Sequence, residues 1–150
     1  MKPTPVVRQV HHDINAKPFI AIWEVTRACQ LVCQHCRADA QHEPAPGQLT
    51  TEQGKALLDS IASYDKPRPI VVLTGGDPFE RGDLEELTEY GTSLGLNVSL
   101  SPSVTPRLTR ERLEVAVAHC PFPLMVLPRT PTTIFADFRA FSTKLSRWLK

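Results

Sequence analysis

Apolar runs and helical patterns alternate three times between residues 19 and 118. The first two apolar runs are rich in β-branched residues, and the segment after each of the three runs has helical spacing or a helix-capping residue. The predicted strands are 19–25, 70–74 and 96–101, and the predicted helices are 52–64, 83–94 and 109–118. Because strand–helix–strand connections are right-handed and place their strands in parallel, this order predicts an α/β fold with a parallel sheet. The unbroken run at 70–74 predicts a strand that is buried on both faces.

Three of the four cysteines, Cys29, Cys33 and Cys36, fall within eight residues directly after the first predicted strand. Residues 1–17 lack the apolar segment of a secretion signal, so we interpret these cysteines as metal ligands rather than disulfide partners. Three thiolates can hold a 4Fe-4S cluster and leave one iron open to a small molecule. A structural zinc site needs a fourth ligand, which His35 or His42 could supply. The spacing alone leaves both metal sites open.

Two segments resemble motifs of the radical SAM superfamily, whose members use S-adenosylmethionine (SAM). Residues 23–29 (WEVTRAC) with 31–37 (LVCQHCR) resemble its cluster loop, most closely in the branch with a C-terminal SPASM extension. That branch includes peptide maturases, mycofactocin maturases and heme-forming enzymes. Residues 74–78 (TGGDP) resemble the superfamily's Gly-Gly-Glu-Pro turn, with Asp77 in place of Glu. The resemblance covers about residues 18–112.

The resemblance implies a role for eight residues. It assigns Cys29, Cys33 and Cys36 to a 4Fe-4S cluster, Gly75, Gly76 and Asp77 to the amino group of SAM, and Ser101 and Ser103 to its ribose and carboxylate. The residues by themselves also allow simpler interpretations. Gly-Gly-Asp-Pro is a common turn sequence, and serine hydroxyls before a proline often cap turns or contact water.

The implied fold is the N-terminal portion of a partial (β/α)6 radical SAM barrel. The implied activity is reductive cleavage of SAM to a 5′-deoxyadenosyl radical, which abstracts hydrogen from a peptide or small-molecule substrate. A reductant such as ferredoxin or flavodoxin would be a partner. The alternatives are a truncated, non-catalytic fragment and a simple iron-sulfur or zinc-binding module.

Composition argues against two classes of partner. Seventeen Lys and Arg balance sixteen Asp and Glu, and neither sign forms a long block, so we expect no nucleic acid and no anionic membrane as partner. No apolar run approaches the roughly 20 residues that span a bilayer. We therefore expect a cytoplasmic protein.

The chain divides into an N-terminal arm (1–17), a partial radical SAM core (18–118) and an atypical tail (119–150). Prolines break the strand–helix alternation after His119. Back-translation of the tail in another frame permits the strings LSLSLDG, HHFRG and FDKTL, which resemble the continuation of the SPASM-like branch. We hypothesise a frameshift near residues 115–119, which would remove the later βα units and most of the substrate pocket.

Overall fold

A computed structural model describes residues 12–31, 33–103 and 105–118. Its elements follow the predicted alternation of strands and helices. The strands are β1 (Ile20–Thr26), β2 (Ile70–Gly75) and β3 (Asn97–Leu100), and the helices are α1 (Thr51–Ala62), α2 (Leu84–Ser93) and α3 (Arg110–Ala118). A short 3₁₀ helix over Pro78–Glu80 lies between β2 and α2. The predicted α/β class is confirmed.

The three strands form one parallel sheet in the order β1-β2-β3. Ile20 pairs with Ile70 at the start of β1, and Leu73 pairs with Leu100 at the end of β3. Neighbours in sequence are therefore neighbours in the sheet, and α1 and α2 are the crossovers between them. The predicted parallel sheet is confirmed.

Helix α1 begins where its capping residues predict. The Thr50 side chain accepts a hydrogen bond from the Gln53 amide, and the Gln53 side chain accepts one from the Thr50 amide, so two otherwise unpaired N–H groups are satisfied. Leu58 and Ile61 of this helix enter the core beside Leu87 of α2. The cap thus fixes the start of the helix, and apolar burial fixes which side of it meets the sheet.

The prediction that β2 is buried on both faces is wrong for one face. Val71 and Leu73 are fully buried and belong to the core shared with the helices. Ile70, Val72 and Thr74, which point the other way, are only half-buried. An uninterrupted apolar run cannot distinguish these two faces, because the alternation is set by what packs against each of them.

All three sequence motifs lie at one edge of the sheet. The cysteine segment follows β1, the Gly-Gly turn follows β2, and Ser101 and Ser103 follow β3. In parallel sheets this carboxyl edge is where ligands usually bind. The predicted tail and most of the predicted N-terminal arm lie outside the described residues. Within the described ranges, no helix is long and apolar enough to cross a membrane.

Candidate functional site

The cysteine loop, defined here as residues 28–41, is closed at its base by backbone hydrogen bonds. Ala28 and Gln41 form an isolated parallel bridge. The Cys29 amide donates to the Gln41 carbonyl at 2.7 Å, and the Gln41 amide donates to the Arg27 carbonyl at 2.8 Å. These bonds bring the two ends of the loop together at the end of β1.

A side-chain pair adds to this closure. The Arg27 guanidinium donates to both the backbone carbonyl and the carboxylate of Asp39. Asp39 adopts a φ of 47°, a left-handed conformation that Asp tolerates better than most residues. The Arg27–Asp39 ion pair lies across the base of the cysteine loop.

The three cysteines of the loop are free thiols that line one cleft of about 220 Å³. Cys29 is buried, whereas Cys33 and Cys36 are exposed. The Leu31 amide donates to the Cys29 sulfur and the Ala40 amide to the Cys36 sulfur, both at 3.4 Å. Such N–H···S bonds are among the interactions that set the potential of an iron-sulfur cluster.

This donor set fits an iron-sulfur cluster, but its sulfurs are not arranged in the geometry of a bound metal. Among the described residues, no three Cys, His, Asp or Glu side chains lie close enough together to hold a metal ion. His42 also lines the cleft, whereas His35, the other histidine considered as a zinc ligand, is not among its lining residues. Of the two, His42 is therefore better placed to act as a fourth ligand.

The Gly-Gly turn contacts the base of the cysteine loop through its backbone. The Gly76 amide donates to the Thr26 carbonyl at 2.9 Å, and the Asp77 amide donates to the Ala28 carbonyl at 2.8 Å. A Cβ on Gly75 would lie 2.1 Å from the Thr26 oxygen, and one on Gly76 would lie 2.4 Å from the Ala28 oxygen. Gly75 also has a φ of 132°, which side-chain-bearing residues rarely adopt. Both glycines are thus required for two backbone segments to approach each other.

Asp77 is fully buried, and its carboxylate is used within the protein. One oxygen accepts from the Phe79 amide at 3.1 Å and caps the 3₁₀ helix, and the other accepts from the Thr105 hydroxyl at 2.5 Å. Burial raises the pKa of Asp77, and the hydrogen bonds from Thr105 and the Phe79 backbone offset part of that increase. The carboxylate therefore acts as a local organiser of the turn.

The two predicted serines lie next to this turn. Ser101 is buried, and its amide donates to the Leu73 carbonyl at 2.9 Å, which continues the pairing of β3 with β2 by one residue. The Ser103 hydroxyl donates to the Gly76 carbonyl at 3.0 Å. The structure therefore brings the Gly-Gly turn and the segment after β3 into direct contact.

Comparison with known proteins identifies relatives of this chain. The chain is 53% identical over 83 residues to the AdoMet-dependent heme synthase of Oleidesulfovibrio alaskensis, a match that covers 55% of this chain and 21% of that protein. It is 45% identical over 101 residues to the AdoMet-dependent heme synthase of Nitratidesulfovibrio vulgaris, covering 65% of this chain and 27% of that protein. The mycofactocin maturase of Mycobacterium ulcerans is 32% identical over 110 residues, covering 69% and 29%.

The resemblance to the radical SAM superfamily is confirmed. The chain spans less than a third of the length of each of these relatives. No protein-family model matches it.

A solved structure shares the fold. The crystal structure of BtrN in complex with AdoMet and 2-DOIA matches with a TM-score of 0.62 at 17% sequence identity, covering 81% of this chain and 49% of that chain. At this identity the match concerns the fold alone. It confirms the predicted α/β fold with a parallel sheet.

The sequence did not reveal two residues, Thr105 and Arg81, that hydrogen-bond to the segments carrying the motifs. Thr105, which binds Asp77, belongs to the hydroxyl-rich segment after β3 but has no motif of its own. Arg81 is buried and donates to the Val25 carbonyl at 3.0 Å and to the Asp83 carboxylate at 2.6 Å, while its guanidinium lies over the Trp23 ring. A buried arginine anchors the end of β1, directly before the cysteine loop.

Proposed function

We propose that this chain binds a 4Fe-4S cluster through Cys29, Cys33 and Cys36, and SAM at the neighbouring edge of the sheet. The observation that carries the proposal is the contact between the two motifs. The three free thiols line one cleft, and the base of their loop is hydrogen-bonded to the Gly-Gly turn through Thr26 and Ala28.

Each group of residues has a distinct task in this proposal. The three thiolates hold three irons and leave the fourth without a protein ligand. The turn at Gly75–Asp77 and the strand end with Ser101 and Ser103 would hold the methionine and ribose parts of SAM. Since the Asp77 amide bonds to the residue before Cys29, these parts would lie next to the cluster.

The chemistry follows from the pair of cofactors. When bound, a reduced cluster would supply one electron for homolytic cleavage of SAM, and the resulting 5′-deoxyadenosyl radical would abstract a hydrogen atom from substrate. The protein residues position SAM, and the N–H groups directed at the sulfurs of Cys29 and Cys36 help set the cluster potential.

Substrate and partners follow from the relatives. Their names, heme synthase and mycofactocin maturase, support a small-molecule or peptide substrate. One-electron chemistry requires a reductant, for which a ferredoxin or flavodoxin is the expected class. We assign the protein to the cytoplasm, where thiols remain reduced and available to metal.

Anaerobic reconstitution with iron and sulfide tests the proposal. We expect about four irons and four sulfides per chain and saturable binding of SAM to the reconstituted protein. A chain that takes up zinc in preference, or that binds no metal under these conditions, would overturn the assignment.

A structural zinc site is the second candidate, because His42 lines the same cleft as the three cysteines. Three thiolates and one imidazole would complete a tetrahedral site. The variant His42→Ala separates the two candidates: it would reduce the affinity for zinc if zinc is the resident metal, and it would leave the iron content of the reconstituted protein unchanged if the cluster is.

A further inference from the structure

Two hydrogen bonds join the Gly-Gly turn to the segment after β3. The Ser103 hydroxyl donates to the Gly76 carbonyl, and the Thr105 hydroxyl donates to the Asp77 carboxylate at 2.5 Å. Two segments about 27 residues apart in sequence are thus held as one unit at the edge of the sheet.

The environment of Asp77 argues against a direct contact between its carboxylate and a ligand. The side chain is fully buried, and its two oxygens accept hydrogen bonds from the Phe79 amide and the Thr105 hydroxyl. A ligand ammonium group would have to displace these donors, and each displaced donor would lose a buried partner. The half-buried backbone at Thr74 and Gly75 is better suited to recognition than this carboxylate.

We infer that Thr105 is a positioning residue for SAM, and that it acts by holding Asp77 and thereby the backbone of the Gly75–Asp77 turn. The inference rests on the proposed function, because it concerns how the same turn binds SAM. In this role Asp77 fixes the turn through hydrogen bonds inside the protein and does not contact SAM. The inference also adds a residue that no sequence motif indicates.

The variant Thr105→Val tests this inference, because valine keeps the size of the side chain and removes the hydroxyl. We expect the reconstituted variant to keep its iron content, while its dissociation constant for SAM rises about tenfold. Thr105→Ser restores the hydroxyl and should bind SAM within about threefold of the wild type. In the metal-free protein, Thr105→Val should also speed hydrogen exchange of the Phe79 amide, which donates a hydrogen bond to Asp77.

Thr88→Val is the matched control. Thr88 is also buried, but its hydroxyl donates to the Leu84 carbonyl within α2 and does not contact the turn. This variant should bind SAM as the wild type does, whatever it costs in stability. Equal SAM affinity in Thr105→Val and the wild type would overturn the inference, as would an equal loss of affinity in Thr88→Val.

The variant Asp77→Asn distinguishes hydrogen bonds within the protein from a direct ionic contact with SAM. An asparagine can accept from the Phe79 amide through its oxygen and donate to the Thr105 hydroxyl through its nitrogen, so both internal contacts are kept. We expect a change in SAM affinity of less than about threefold, whereas loss of a direct contact with the SAM ammonium would cost roughly 10- to 100-fold. The larger loss would contradict the inference.

The wild type shows which of the two proposals fails. If the reconstituted wild type does not bind SAM, the proposed function and the inference fall together. If the wild type binds SAM and Thr105→Val binds it equally well, only the inference is overturned.

Discussion

The Gly-Gly turn and the cysteine loop are neighbours, but they are stabilised in different ways. The turn is buried, and its amides and its Asp77 carboxylate are paired within the protein. The cysteine loop is tied mainly at its base, and two of its three thiols are exposed. Packing therefore fixes the turn before any cofactor binds, whereas metal binding would complete the geometry of the loop.

This comparison predicts that changes in the loop alter metal content and that changes in the turn alter stability. The largest effect is expected for Cys33→Ala, which removes one of three ligands. Iron content after reconstitution should fall from about four to below about one per chain, while the unfolding midpoint of the metal-free protein stays unchanged because Cys33 is exposed.

Cys120→Ala is the matched control for the cysteine variant, because Cys120 is the one cysteine outside the motif. It should retain the full iron content. Full iron content in Cys33→Ala would show that the motif is not the ligand set.

A Gly75→Ala substitution should lower stability, the property that the cysteine variant leaves unchanged. The added Cβ would lie 2.1 Å from a backbone oxygen of Thr26 at a φ of 132°, so the free energy of unfolding in urea should fall by about 3 kcal/mol or more. Gly82→Ala, where an added Cβ meets no atom within 4 Å, should change it by less than about 0.5 kcal/mol. Equal effects of the two substitutions would contradict the close approach.

Two aspartates near the turn should respond to pH in opposite directions. Burial raises the pKa of Asp77. The stability linked to its protonated form is therefore fully present below the pKa of the unfolded state, and it is lost as pH rises through the pKa of the folded state. Burial alone would raise the pKa of Asp83, but hydrogen bonds from Arg81 and Thr51 outweigh it and lower that pKa. The stability from Asp83 is therefore present above the unfolded pKa and is lost as pH falls through the folded pKa.

Urea midpoints of metal-free protein between about pH 3 and pH 7 check this pair of directions. As pH rises, the wild type should lose stability relative to Asp77→Asn and gain stability relative to Asp83→Asn. Parallel curves for the wild type and both variants would refute the opposite shifts.

The smallest effect is expected at the base of the cysteine loop. The Asp39 side chain is 87% exposed and that of Arg27 is 34% exposed, so their ion pair is largely hydrated. A double-mutant cycle of Arg27→Gln and Asp39→Asn should give a coupling free energy below about 1 kcal/mol. A coupling well above that value would mean that this ion pair fixes the loop more firmly than a hydrated surface pair can.

The sequence predicted the elements of this fold well because their signals are local. The apolar run at 70–74, the Thr50 cap and the position of the cysteines directly after a strand each depend on residues close together in the chain. Knowing that parallel strands end at one edge was enough to bring the three motifs together. Their assigned roles toward the cluster and SAM stay predictions.

The supporting contacts could not be predicted, because they join residues far apart in sequence. Thr105 contacts Asp77 across 28 residues and Arg81 contacts Val25 across 56, and neither pair has a pattern that a single sequence reveals. The half-buried face of β2 was missed for a similar reason, since apolar composition does not show which face the helices cover. The burial of Asp77 could not be predicted either, since a local turn sequence does not show what packs over its side chain.

We propose that three thiolates leave one iron of a 4Fe-4S cluster open to SAM, which the adjacent turn would hold. Electron paramagnetic resonance of the anaerobically reconstituted and reduced protein, recorded with increasing SAM, tests it most directly. We expect a 4Fe-4S signal whose g-values shift saturably as SAM binds. A cluster signal that SAM leaves unchanged, with the wild-type iron content intact, would contradict the claim.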